Sequence, residues 1–185
     1  MELETNRLIL RNWKEEDIDD LIEGLNNYNI SKWLAFVPFP YTSEDAKKWI
    51  KNCMKNDMES NKSGYEFAIV LKTKFKIIGG VSISGINKIH GTAGGGIWIN
   101  EKYFGNGYGK EAFSEKIRFS FEELGLRKLE NGFFEGNEAS KIMQEKFGYK
   151  IEGRRIKKYK CMADGELKDE IITGLLKEEW IKRNK

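Results

Sequence analysis

Three apolar segments, EFAIVLK from Glu66, KIIGGVSIS from Lys76 and GGIWIN from Gly95, follow one another with only short connectors. A parallel pair of strands needs a crossover of a dozen or more residues, usually a helix, and these connectors leave no room for one. The run therefore predicts antiparallel hairpin strands at the centre of the fold.

Helical periods surround it. RLILR, Arg7 to Arg11, alternates like a strand, and Ile18, Leu21, Ile22 and Leu25 then recur at helical spacing. Thr42 with Asp45 forms a capping-box pattern ahead of a stripe at Ala46, Trp49, Ile50, Cys53 and Met54, which makes Cys53 a core residue. Ala112, Phe113, Ile117, Phe121 and Leu124 mark a third helix, with Gly125 where a left-handed cap belongs. A strand is expected over Leu129 to Phe134. Asn137 caps a further helix with Ala139, Ile142, Met143 and Phe147 inward and Gly148 at its end. Strand material resumes at Tyr149 to Gly153, near Tyr159 to Met162, and at Glu170 to Leu176. Asn29 to Tyr41, NISKWLAFVPFPY, holds both prolines and four aromatics; it reads as a loop that either fills core or walls a pocket. The expected class is α/β (α+β), a mixed, mostly antiparallel central sheet flanked by helices, as one domain over residues 1–185.

Charge narrows the partners. The 32 basic and 29 acidic side chains are interspersed and leave a net charge of +3, a mixed surface rather than a nucleic-acid stripe. Cys53 and Cys161 lie far apart with no histidine near either, so no metal set forms and both read as reduced thiols. No signal peptide and no apolar run long enough for a membrane span is visible, so the expected location is cytoplasmic, with no membrane partner.

One stretch calls for a ligand. Tyr103 to Ala112, YFGNGYGKEA, sets three glycines at alternate positions between a strand and a helix. Such a turn offers unpaired N–H groups at the positive end of a helix dipole, which suits a phosphate. A P-loop is excluded, because four residues do not separate the glycines and Glu111, not Ser or Thr, follows Lys110. A dinucleotide fingerprint is excluded by Lys110 in place of its third glycine and by the hairpin context.

The remaining pattern resembles the GNAT acetyltransferase superfamily, whose loop Gln/Arg-x-x-Gly-x-Gly/Ala holds the pyrophosphate of coenzyme A. Phe104, Gly105, Asn106, Gly107, Tyr108 and Gly109 occupy those six places. Phe104 departs from Gln or Arg, and an aromatic there is similar to the ribosomal-protein N-terminal (alanine) acetyltransferase branch. ETNRLILR, PYTSEDAKKWI, GNEASKIMQEKFGYKIEGR, DGELKDEI and LLKEEW resemble the same branch in order, over residues 2 to 180.

The resemblance implies acetyl-CoA as acyl donor, with no metal. It places Ile97, Trp98 and Ile99 on a splayed strand whose backbone pairs with the pantetheine, while the side chains of Ile97 and Ile99 belong to the core. The backbone of Gly105 to Lys110 would receive the pyrophosphate. Lys110 either adds charge or is a solvated first-turn lysine. Asn137 and Ser140 match the N-x-x-S helix start that contacts the cofactor arm, and Asn137 serves equally well as a helix cap. Ser140 matches a proposed acid for the departing thiolate, and a backbone N–H such as that of Ile99 would face the oxyanion. Tyr159 stands where some relatives carry a glutamate base; it acts as an acid, lines the pocket, or does neither. His90, in INKIHGT, reads as an exposed turn histidine.

The first expected acceptor is a protein N-terminal α-amine of ribosomal-protein type. Its pKa of roughly 7.7 to 8.0, against about 10.4 for lysine, asks less of a base. The alternatives are a small amine, such as a polyamine, an amino sugar or a toxic metabolite, or a non-catalytic acetyl-CoA-binding module. A polycation would want carboxylates; Glu15, Glu16, Asp17, Asp19 and Asp20 are the acidic run, and helical spacing predicts a solvated face for them. A homodimer is compatible with the architecture, although the sequence shows no separable interface.

Overall fold

The computed structural model describes residues 1–59 and 62–184. Its strands are β1 (Glu2–Glu4), β2 (Leu8–Asn12), β3 (Gly64–Leu71), β4 (Lys76–Asn87), β5 (Thr92–Gly94), β6 (Ile97–Ile99), β7 (Lys128–Phe134), β8 (Lys150–Lys160) and β9 (Leu167–Leu176). They form one sheet in the order β1-β2-β3-β4-β5-β7-β9-β8, and β6 pairs with β4 beside β5. Every pairing is antiparallel except that of β5 with β7, so the expected mixed, mostly antiparallel sheet is present.

Helices close both faces of its first half. Leu21 and Leu25 of α1 (Ile18–Leu25) and Ala46, Ile50 and Cys53 of α3 (Ser43–Asp57) meet Ala68 and Val70 on one face of β3. On the other face Phe67, Ile69 and Leu71 meet Phe113 and Ile117 of α4 (Tyr108–Arg118) and Phe119 and Phe121 of the π-helical turn that prolongs it. A strand covered twice needs apolar side chains at successive positions, which is why EFAIVLK is nearly continuous. Each fully buried Phe, Leu or Ile contributes roughly 1.5–3 kcal/mol through its removal from water.

Several local expectations hold in detail. Thr42 and Asp45 form the reciprocal capping box, Asn137 accepts from the N–H of Ser140, and Gly125 and Gly148 take φ of 66° and 93° past their helices. Others shift for physical reasons. The aromatic loop opens with a short helix, α2 (Tyr28–Ser31), because the Asn27 side chain caps it. In α5 (Glu138–Lys146) Ala139 and Ile142 face solvent, while Met143 and Phe147 pack on the core. Gln144 turns inward with them because its amide finds partners there. Trp49 is partly exposed. The segments expected at Tyr149 to Gly153 and near Tyr159 belong to one bulged strand, β8, and Cys161 and Met162 lie in the turn after it. The acidic run is not wholly solvated: Asp17 is buried in a bidentate pair with Arg11 at 2.7 and 2.8 Å, and Asp20 accepts from the N–H of Ile77 at 2.9 Å. Among the described residues no helix is long and apolar enough to cross a membrane. The chain ends in α6 (Lys177–Arg183), whose Trp180 packs against Phe121.

Candidate active site

The sheet comes apart at one place. β5 and β7 run parallel at Thr92 with Lys128 and Ala93 with Leu129, and a Cβ on Gly94 would stand 2.6 Å from the Glu130 carbonyl oxygen, so the two chains still touch there. Gly95 takes φ of 116°, and any Cβ would collide with the Ser82 carbonyl oxygen; only glycine serves. Beyond it β6 follows β4 alone, and β7 follows β9.

Hydrogen-bond alternation identifies what the resulting seam exposes. The Gly96 carbonyl accepts from Ser82 and the Asn100 N–H donates to Ile78, so the even-numbered residues of this stretch face β4. The N–H and C=O groups of Ile97 and Ile99 therefore point into the seam. Glu135 donates to Asp169, which by the same alternation turns the backbone of Gly132 and Phe134 into the seam from the other side. Trp98 packs instead toward α1, against Gly24 and Gly80.

The glycine loop sits at the open end. Asn100 caps the short turn of residues 101–103, Gly105 and Gly107 both take φ of 79°, and α4 starts directly afterwards. Among the described residues, none of the N–H groups from Gly105 to Lys110 donates a hydrogen bond within the protein. Phe104 and Lys110 are exposed, and the Asn106 side chain folds back on the carbonyls of Tyr103 and Phe104.

Arg7, to which the sequence assigned no role, fixes this loop. Its Nη1 donates to the Asn106 carbonyl at 2.9 Å, its guanidinium lies 4.6 Å over the Tyr108 ring, and its Nε and backbone N–H both donate to Glu111 at 2.7 Å. Burial alone would raise the Glu111 carboxyl, but hydrogen bonds from Thr5 and Arg7 outweigh it and hold it below the usual range. The signal in the sequence was the acid immediately after Lys110.

Asn131 and Lys116 mark the vertex of the seam, and neither was foreseen. Asn131 is 7% exposed, and its side-chain Oδ1 has no hydrogen-bond partner. It pairs with Thr173, whose hydroxyl reaches Gln144, so the Asn131 side chain stands on the α5 face. The Lys116 ammonium, on a side chain 1% exposed, donates to the Gly95 carbonyl at 3.0 Å. Burial pushes its pKa down to about 7, opposed by Glu66, whose own carboxyl burial pushes up to about 8.

Ser140 opens α5, beside the seam on the same face. Its Oγ accepts from Gln144 Nε2 at 3.0 Å, while Gln144 Oε1 accepts from the Thr173 hydroxyl, an arrangement that leaves the Ser140 proton free to be donated elsewhere. Tyr159 lies between Phe36 and Phe134, ring centroids 5.7 and 6.0 Å away. Burial, then Glu170, raises its phenol above the ordinary value. His90 is exposed in a turn, away from this group. The structure thus brings together Ile97, Ile99, the 104–110 loop, Asn137 and Ser140 around one seam, with Tyr159 beyond β7 and β9.

A seam with unpaired strand edges, leading from a donor-rich loop to a buried amide oxygen without a partner, is built to take an extended carrier with a phosphate at one end. The chain belongs to the GNAT acetyltransferase family: residues 7–150 match the model of its acetyltransferase domain. It is 28% identical over 178 residues to the uncharacterized N-acetyltransferase p20 of Bacillus licheniformis, covering 96% of this chain and 97% of that protein. Among solved structures it shares its fold with the spermidine N-acetyltransferase of Vibrio cholerae bound to CoA and spermine, at a TM-score of 0.79 and 20% identity over 96% and 99% of the two chains. The ribosomal-protein-S5-alanine acetyltransferase of Vibrio fischeri aligns with a TM-score of 0.75 at 21% identity, over 97% and 98%.

Proposed function

We propose that this acetyltransferase uses acetyl-CoA and delivers the acetyl group to a protein N-terminal α-amine. The observation that carries the donor is the buried, unpartnered Asn131 Oδ1 on a seam whose loop offers six consecutive free N–H groups. An acceptor oxygen left unpaired in a protein interior costs roughly 1–3 kcal/mol, and an amide N–H of the pantetheine arm would satisfy it. The residues present therefore fit the cofactor.

Acetyl-CoA, when bound, supplies the activated acetyl thioester. Gly105 to Lys110 hold its pyrophosphate, and Arg7 keeps their backbone in place. Ile97 and Ile99 pair with the arm, and their open N–H groups stabilise charge on the acetyl oxygen. Ser140 donates its hydroxyl proton to the leaving sulfur, with Gln144 holding the hydroxyl oriented. Asn137 is a helix cap in this arrangement and orients Ser140 through the first turn. Tyr159 lines the acceptor side with Phe36 and Phe134.

For the acceptor, the surrounding charge favours a single ammonium over a polycation. Glu135 and Asp169 are taken up by Arg154, and Asp17 and Asp20 by contacts inside the fold. Incubating the protein with acetyl-CoA and a mixture of free-N-terminus peptides, polyamines and aminoglycosides tests this. Thiol release with an acetylated peptide amine is expected; acetylation of the small amines alone would overturn the N-terminal reading.

A further inference from the structure

The face of β7, β9 and β8 away from α5 carries a carboxylate that none of the roles above uses. Glu170 lies on β9 opposite Phe134 of β7 and Arg155 of β8. Thr173 faces α5, so strand alternation turns Glu170 to the opposite face, together with Gly132 and Phe134. Its side chain leans across β7: a Cβ on Gly132 would collide with Glu170 Oε1, so the carboxylate occupies the place a side chain would take. Oε2 accepts from Arg155 Nη1 at 3.0 Å, the side chain is 13% exposed, and among the described residues Oε1 has no hydrogen-bond donor.

Gly132 stands where the reacting carbon should arrive. The parallel register that starts with Thr92 and Lys128 sets Gly96 level with Gly132. The arm between the pyrophosphate and sulfur of CoA, about a dozen bonds, spans roughly four extended residues at ~3.3–3.6 Å each, which is the distance from Asn100 at the loop back to Gly96. Asn131 and Ser140 approach that point from the α5 face; Glu170 approaches it from the other. Glu66 and Asp169 are less well placed. Glu66 is on β3, beyond β4 on the covered half of the sheet, and Asp169, on the face of α5, already accepts from Arg154 and from the N–H of Lys157.

Resting on the acetyl-transfer reading above, we infer that Glu170 receives the ammonium of the acceptor and takes its proton. The neutral nitrogen then attacks the thioester carbon, the C–S bond breaks, and the sulfur takes the Ser140 proton. The second proton lost by the nitrogen restores the Ser140 hydroxyl through solvent, and the one on Glu170 leaves as the net proton released. Arg155 holds the carboxylate in place through its hydrogen bond to Oε2.

Two variants test this. Glu170→Cys treated with bromoacetyl-CoA places a thiol where the amine would stand; the sulfur displaces bromide and the label stays on position 170. Cys53 and Cys161 are buried and give little background. Labelling at least tenfold faster than in Lys150→Cys, an exposed site on the same hairpin, and suppressed by free CoA, is expected. Equal rates, or no label although CoA binds, would overturn the placement. Glu170→Gln should lower kcat/KM for the peptide acceptor by about 10²-fold and flatten the acid limb of its pH profile while the CoA dissociation constant stays unchanged. An unaltered rate and profile would overturn the proton role even where the label lands. Failure of the unmodified protein to bind CoA would remove the donor reading itself, a result that binding calorimetry separates from the other two.

Discussion

β3 and β8 belong to one sheet and are built on opposite plans. β3 is buried along its last five residues, with helices on both faces, whereas none of the eleven residues of β8 is buried. The first half of the sheet spends its side chains on two cores; the second is packed by a helix on the α5 face alone, and on the other is covered in part by the loop whose Phe36 meets Tyr159 beside Phe134. The seam lies where these halves meet. A ligand there can be gripped by the rigid half while its reacting end stays accessible from the open one, which is a reason for the split to fall between β6 and β7.

Four changes would break or sharpen that contrast. The largest effect is expected from Gly95→Val, at the vertex, where a side chain meets the Ser82 carbonyl and φ is positive. It should cost about 3 kcal/mol or more in urea unfolding and abolish acetyl transfer. Ser140→Ala leaves the halves intact and should lower kcat about 10²-fold with CoA affinity unchanged, read by thiol release alongside calorimetry. Asn131→Leu removes the unpaired oxygen. The free protein should melt several degrees higher, while CoA binds roughly tenfold more weakly and the adenosine diphosphate portion alone binds as before.

The smallest effect concerns Lys116. Its amine is held down to about 7 in the fold, against about 10.4 in the unfolded chain, so its burial penalty is complete below pH 7 and fades as pH rises between those values. Lys116→Met should therefore raise the melting temperature by a few degrees at pH 6, with a smaller gain at pH 9.

The sealed half was legible in the sequence because its signals are local. The capping box at Thr42, the stripe through Ile50 and Cys53 and the left-handed glycine at 125 each declare themselves within a few residues. The glycine loop ahead of α4 and the Asn137–Ser140 helix start were legible too, as a motif. What escaped depends on pairing across the sheet. Glu170 matters because it leans over Gly132, Asn131 because its face meets the seam, and Arg7 because it reaches Glu111; no spacing along the chain encodes these meetings. The place where some relatives carry a glutamate base falls on Tyr159 of the outermost strand, whereas Glu170 stands on the strand inside it. The inward turn of Gln144 was missed for a related reason, since its partner Thr173 lies on a different element.

The clasp between Arg7 and Glu111 joins residues 104 positions apart. A nascent chain releases Arg7 early, and the glycine-loop backbone cannot be held in shape until the helix carrying Glu111 has been made and has docked against that first long strand. Ligand affinity thus reports on completed folding. By linkage the reverse holds as well: a phosphate seated on the loop should slow amide exchange in Leu8–Asn12, in a strand it never touches.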